Sequence, residues 1–401
     1  MTSNFRDVVD RHPGWILFAL AMGGFAIGTT EFATMSLLPY MAAGLGIDEP
    51  TAGHVISAYA LGVVVGAPIL AVLSVRLPRK LLLIVFMAMF AVGNALSAMA
   101  PTYGWMNLFR FISGLPHGAY FGVAALVAAK LLGPARRAQA VGFVMLGLTV
   151  ATIVGVPLAN WLGQFVGWRW GFGVVALLGL AAMSMIGLML KFEPAAANAS
   201  PLRELAGLGH RQVWLTLAIG TIGFGGIFAV YAYLASVLID VTHMAPASTP
   251  IVFSCFGIGM TLGGIIVPRF ADKALMPTAG IMLLLGAVSL ALFPLASHAV
   301  WSVTLNVIVI GFSTSLAIIL QTRLMDVAHE AQTLAAALNH SAFNMANAIG
   351  PWLGGLAIAH GYGFTSTGYI GAGLALGGFA FWVVAMVDSQ RQSRRETALA
   401  R

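Results

Sequence analysis

Twelve apolar stretches fill this chain, each close to the roughly 20 residues that a helix needs to cross a bilayer. Short polar breaks separate them. That spacing excludes a transmembrane β-barrel, whose strands alternate over about ten residues. With 59% hydrophobic and only 8% charged residues, the chain lacks the charge to cover a water-facing surface of its size. It therefore reads as an all-α membrane protein. Spans are expected at 15–40, 52–75, 81–100, 104–131, 138–163, 167–190, 212–240, 248–268, 276–297, 300–322, 333–359 and 366–388.

Positive charge sets the orientation, because cytoplasmic connections are rich in Lys and Arg. With the N-terminus inside, 18 of the 20 basic residues fall on inner segments, from Arg6 and Arg11 through to the Arg391–Arg401 tail. The exceptions are Arg110, inside span four, and Arg169, at the outer end between spans five and six. Both termini are thus expected in the cytoplasm, and the location is expected to be a bacterial cytoplasmic (inner) membrane, crossed many times.

The formal net charge of +7 is spread over these inner segments, so it reads as a topology signal and no nucleic-acid partner is expected. The single Cys255 rules out an intramolecular disulfide and cysteine ligation of a metal. The first apolar stretch is too long for a cleaved signal and leads into further spans. Trp15, Trp168, Trp170 and Trp214 sit at span ends and are expected as interface anchors. The lipid bilayer, a small-molecule substrate and protons are the expected partners, and a monomer is expected.

The longest polar interruption divides the chain into residues 1–190, a linker at 191–211 and residues 212–401, the last ending in a short basic tail. Within the linker, Pro201–Gly209 is expected as a short amphipathic turn of helix. Each half carries a basic connection between its second and third spans: Val75–Lys80 in the first, Pro268–Lys273 in the second. Repetition at equivalent places implies parallel internal duplication, two six-helix bundles with a binding site near the midplane between them. Among the 47 glycines, pairs such as Gly24 with Gly28 and Gly147 with Gly155 read as close helix packing.

Only two full charges lie well inside spans, Glu31 and Arg110. A charge at the bilayer centre costs roughly 2.5–3.5 kcal/mol on insertion scales, so it is kept where something uses it. Glu31 lies about 16 residues into span one, roughly 24 Å along the helix. Arg110 lies about seven residues into span four from the other side, roughly 10 Å, so the two share a depth. Burial favours the neutral acid and a nearby guanidinium the ionised one, so proton affinity would follow their separation. Glu31 is the candidate proton carrier. Arg110 is open between tuning Glu31, contacting substrate and clamping span one to span four.

His117 shares a face with Arg110 and is open between titration and packing. His340, Asn344 and Asn347 form a polar stripe on span eleven, expected to line a cavity. Tyr231 and Tyr233 on span seven offer aromatic walls with hydroxyl tips, one of them expected to face lipid. Thr34, Asn94, Thr149, Thr152 and Gln321 complete the candidate cavity set. Arg323 reads as an inner-gate or topology charge.

Five segments together resemble the major facilitator superfamily, in its twelve-span drug:proton antiporter group, arabinose-efflux-permease-like branch. They are Gly28–Pro39, Arg110–Gly122, Gly147–Gly163, Val166–Phe172 and Ala337–Gly355, and their order and spacing cover nearly the whole chain. The family's loop motif between spans two and three runs Gly-x-Leu-Ala-Asp-Arg-x-Gly-Arg-Lys. Here Arg76, Arg79 and Lys80 match it, while Val75 replaces the acid and Pro78 the second glycine. In the second half Arg269 and Asp272 are kept, and the resemblance implies that Asp272 acts at the inner gate near Arg137 and Gln139. Gly147, Gly155 and Pro157 match the antiporter signature of span five, which implies export.

The resemblance implies a secondary transporter working by alternating access, with proton-coupled efflux of drugs, sugars or related metabolites. The alternatives are a proton-independent facilitator or a symporter for sugars or nucleosides. A membrane-embedded enzyme is the remote alternative, since no HExxH, GxSxG or paired intramembrane carboxylates occur. No phosphate-binding GxxxxGKS/T loop occurs either, so no cofactor is expected and the proton gradient would supply the energy.

Overall fold

Helices account for all the regular structure among the described residues, which in this computed structural model are 13–47, 49–74, 76–194, 205, 207–245, 248–328 and 331–399. The motif position Val75 and most of the linker lie outside them. Eleven spans among the described residues are long and apolar enough to cross a membrane. A twelfth helix, Gln332–Ala357, has the length at 26 residues and carries polar Asn339, His340, Asn344 and Asn347 along it. The chain divides into two compact units, Met1–Leu205 with Ala336–Ser341, and Ala206–Ala335 with Ala342–Arg401.

In the first unit span one is Gly14–Ser36, broken at Leu37 and resumed as Leu38–Leu45. Pro39 lies in the first turn of the second piece, where a residue without an amide hydrogen is tolerated but cannot continue the piece before it. Spans two to four are Glu49–Leu73, Arg79–Met99 and Tyr103–Leu132. Span five begins as Arg137–Val150, passes through a π-helical turn at Ala151–Gly155 and ends as Val156–Phe165. The widened turn lies just before Pro157, whose ring could not sit over an ordinary α-turn without a clash. Span six is Trp168–Met189.

In the second unit span seven is Arg211–Gly223 and Gly225–Ser236, closed by a π-turn at Val237–Val241. Spans eight and nine are Thr249–Ala271 and Leu275–Ala296. Span ten is split into Val300–Ser313 and Leu316–Val327. At the split, Ser313, Thr314 and Ser315 each turn their hydroxyl back onto the carbonyl three residues earlier, at 2.7, 2.6 and 2.9 Å. Those bonds compete with the backbone ladder. Span twelve runs from Ser366 to Leu399 as one 34-residue helix, so the region expected as a basic tail continues the span helically. No Gly or Pro interrupts residues 388–399, and their composition favours helix.

Both units use one packing device. In the first, a Cβ on Gly62 or Gly66 would meet the backbone of Phe111 or Leu115 on span four at 2.2 Å, and one on Gly114 would meet Tyr59 at 2.3 Å. In the second, Gly259 and Gly263 face Ile308 and Phe312 at 2.1 and 2.4 Å, and Gly311 faces Phe256 at 2.3 Å. Backbone rests on backbone in each pair, which only glycine permits. Spans one and five meet similarly: a Cβ on Gly147 would lie 1.8 Å from the Ala21 carbonyl oxygen. Gly24 and Gly28 approach Val144 and Leu148 at 2.8 and 2.9 Å.

One expected anchor is a core residue. Trp168 is only 5% exposed and packs among Leu37, Met41, Val55, Ala100, Met106 and Phe172. Its place at a span end suits an interface tryptophan equally well, but the second piece of span one folds over it. Trp15, Trp170 and Trp214 are exposed as expected. Arg169, the outer exception to the charge rule, donates to the Ala100 carbonyl at 2.8 Å and stacks 4.2 Å above the Trp168 ring. Ala100 caps the C-terminus of span three, where a cation complements the helix dipole.

Candidate functional site

Arg110 is buried to 1% exposure in the middle of the first unit. Its Nη1 donates to the Thr30 hydroxyl at 2.9 Å, and Thr30 in turn donates to Asn94 Oδ1 at 2.7 Å. Asn94 uses its amide hydrogens on the Phe90 carbonyl at 2.8 Å. The guanidinium lies 4.3 Å from the Tyr59 ring centroid and 5.4 Å from that of Phe172. Its Nε is buried with no hydrogen-bond partner among the described residues. A cation held by one neutral hydroxyl and two aromatic faces is weakly fixed for its burial.

Glu31 follows Thr30 on span one and is partly exposed. Among the described residues it makes no ion pair within 4.0 Å, whereas Lys130 pairs with Glu193 and Arg211 with Asp388. The permanent Glu–Arg clamp that the sequence left open is therefore not formed in this structure. Thr34 caps back onto the Thr30 carbonyl, and Thr149 and Thr152 bond carbonyls of their own helix at 3.1 and 2.7 Å.

The Tyr59 hydroxyl meets His117 Nδ1 at 3.0 Å. His117 lies ring to ring with His340 at 5.1 Å, and His340 stacks on Phe121 at 4.4 Å with 13° between planes. His340 is buried in this stack, so the polar stripe of span eleven does not begin on an open wall. Asn344, in the second unit, is also buried, and Asn347 is partly exposed.

In the second unit Tyr231 packs on Phe253 and Phe256 at 5.3 and 4.7 Å. Tyr233 donates to the Pro351 carbonyl at 3.0 Å. Both tyrosines are partly exposed and engaged with neighbouring helices. Gln321 is buried. Arg323 bonds Gln212 at 3.3 Å, and Gln212 also donates to Asp388 at 2.8 Å, tying the inner ends of spans seven, ten and twelve. Arg76 and Arg79 are exposed and Lys80 partly so, while Arg269 folds back onto the Ile265 carbonyl at 2.6 Å and Asp272 caps span eight.

Thr30, Tyr59 and Phe172 are the site residues that sequence reasoning did not single out. Thr30 adjoins Glu31, and Tyr59 lies at the depth of Arg110 on a neighbouring span; depth matching against the buried charge was the available signal.

The sequence profile of the Major Facilitator Superfamily matches residues 20–339. The chain belongs to the Major Facilitator Superfamily. It is 40% identical over 367 residues to the "Inner membrane transport protein YdhP" of Escherichia coli, across 90% of this chain and 94% of that one. It is 32% identical over 354 residues to the "Chloramphenicol resistance protein" of Streptomyces lividans, across 86% and 89%. A crystal structure of the Escherichia coli fucose:proton symporter FucP shares the fold, with a TM-score of 0.74 at 13% identity over 92% of this chain and 98% of that one. As a member of this superfamily the protein is a multi-pass membrane transporter of the secondary active kind, and the superfamily's proteins are transporters rather than enzymes.

Proposed function

We propose that this transporter exports small organic molecules in exchange for protons, with Glu31 as the proton carrier. The observation that supports this most is the relation of Glu31 to its neighbours. The acid is mid-span, partly accessible and without an ion pair among the described residues, while a buried guanidinium is held by the hydroxyl one residue away. Such an acid can take and release a proton without first breaking a salt bridge. Once ionised it attracts Arg110, which links proton release to a side-chain displacement.

Export is supported by the similarity to the chloramphenicol resistance protein and by the resemblance of span five to an antiporter signature. The π-turn at Ala151–Gly155 gives that segment a local irregularity of a kind common at functional sites. Similarity to YdhP supports a place in the bacterial inner membrane. The substrates are drug-like molecules, sugars or related metabolites, the protein works as a monomer, and the proton gradient supplies the energy without a cofactor.

The test is flux in liposomes containing the purified protein, with chloramphenicol and a panel of sugars under an imposed pH gradient. Gradient-driven exchange is expected with at least one probe, and Glu31→Gln is expected to abolish it while still binding that probe in a thermal-shift assay. Gradient-driven exchange at the parent rate by Glu31→Gln would overturn the assignment. Flux indifferent to the gradient would identify a facilitator instead.

A further inference from the structure

The six residues Ala336–Ser341 of span eleven group with the first unit, and spans two and four hold them there. A Cβ on Gly118 would lie 3.1 Å from the Ala337 carbonyl oxygen, and one on Gly122 would lie 3.0 Å from the Ala337 nitrogen. The backbone of the segment thus seats directly on span four. His340 is closed against Phe121 and His117, and Ser341 reaches the Val64 carbonyl of span two at 3.4 Å. One residue joins this seat to the buried cation. Tyr59 presents its ring face to Arg110 and its hydroxyl to His117, and it is 3% exposed.

We propose that Tyr59 is a positioning residue that couples the placement of Arg110 to the docking of the Ala336–Ser341 segment, through its hydrogen bond to His117. The inference rests on the reading of Glu31 as proton carrier. With Glu31 neutral, Arg110 stays on Thr30 and over the Tyr59 ring, which keeps the phenol aimed at His117 and the His117–His340 contact in place. When Glu31 ionises, the guanidinium is drawn one residue along span one and leaves the ring. Tyr59 then loses the cation over its ring, and a buried phenol with an imperfect hydrogen bond repacks. The titratable groups along the path are Glu31 and Arg110 at one end, Tyr59 in the middle, and His117 and His340 at the other.

The test follows docking directly and needs neither substrate nor gradient. In full-length Cys255→Ala protein, Ser341→Cys is labelled with a water-soluble maleimide across a pH series. Rates are divided by those of the same thiol in a Glu31→Gln background, which removes the titration of the thiol itself. Relative labelling should rise with pH in the parent, as Glu31 ionises. Tyr59→Phe keeps the ring and deletes the hydroxyl; it should label about fivefold faster at low pH, the scale of one net hydrogen bond, and show a flat relative profile. In a His117→Ala background the same substitution should have no effect, as a double-mutant cycle requires of two coupled groups. Equal labelling of Tyr59→Phe and parent, or additive effects of the two substitutions, would overturn the proposal. Retained proton exchange by Glu31→Gln would instead overturn the assignment of the proton carrier, so the two failures are distinguishable.

Discussion

The Arg110 guanidinium hydrogen-bonds to the Thr30 hydroxyl at 2.9 Å and makes no ion pair with the carboxylate of Glu31, the next residue along the same helix. A buried cation beside an acid that it does not pair with occupies one of two available positions, one neutral and one ionic. On the proposed reading of Glu31 as proton carrier, the position filled follows whether the acid carries its proton.

Thr30 holds the neutral position. Thr30→Val keeps the shape and removes the hydroxyl that joins Arg110 to Asn94, leaving a buried guanidinium short of an acceptor. A loss of about 1–3 kcal/mol is expected, read as a lower apparent melting temperature of the purified protein, and Thr30→Ser should recover most of it. Equal melting of the valine variant and the parent would show the bridge to be dispensable.

Lysine should not replace Arg110. The guanidinium is placed against the faces of Tyr59 and Phe172, and a lysine supplies a point charge with no plane to stack. Arg110→Lys is expected to bind substrate but to exchange it at least about tenfold more slowly, on the scale of a desolvated cation–π contact. Liposome exchange measured beside thermal-shift binding separates the two effects; parent-like exchange would rule out a role for the planar cation.

Gly147 and Gly173 form a matched pair of controls. A methyl group at Gly147 meets the backbone of Ala21 and Phe25 at 1.8 and 2.7 Å, and neither can rotate away. Gly147→Ala should lose roughly 1–3 kcal/mol or more by overpacking. At Gly173 the nearest atom is 3.8 Å away, so Gly173→Ala should be neutral or gain up to about 1 kcal/mol from helix propensity. Melting curves and gel-filtration profiles compare them, and equal behaviour would contradict the packing of span five on span one.

At the outer surface, Arg169→Ala removes the donor to the Ala100 carbonyl and the cation above Trp168. An apparent loss of about 1–2 kcal/mol is expected, with Arg169→Lys intermediate because it keeps the charge but not the stack. The reading is thermal unfolding in detergent, and a lysine variant equal to alanine would assign the whole effect to stacking.

Much of this architecture was visible in the chain itself. Lipid demands long apolar runs, so most spans in the structure start and end within a few residues of their expected places, while the last turns of spans ten and twelve run on past theirs. Glu31 and Arg110 stood out because charge in hydrocarbon is expensive. Thr30 and Tyr59 did not, since Thr and Tyr are ordinary on an apolar helix and only the fold brings them to Arg110. Trp168 was misplaced for a related reason: a span end is where tryptophan meets headgroups, and nothing local foretold that Leu38–Leu45 would fold back across it. The split of span ten escaped notice because Ser313, Thr314 and Ser315 break a helix through hydrogen bonds that composition alone does not display.

The glycine seats of spans two with four, and of spans eight with ten, have a mechanical meaning. Where main chain lies against main chain, no rotamers are available to slip, so each pair behaves as a stiff plank. Breaks in the regular helical ladder of the first unit lie elsewhere, at Leu37 in span one and at the π-turn in span five. The glycines set which helices lie locked together, and the irregular turns fall instead on the two helices that carry Glu31 and the antiporter-like segment.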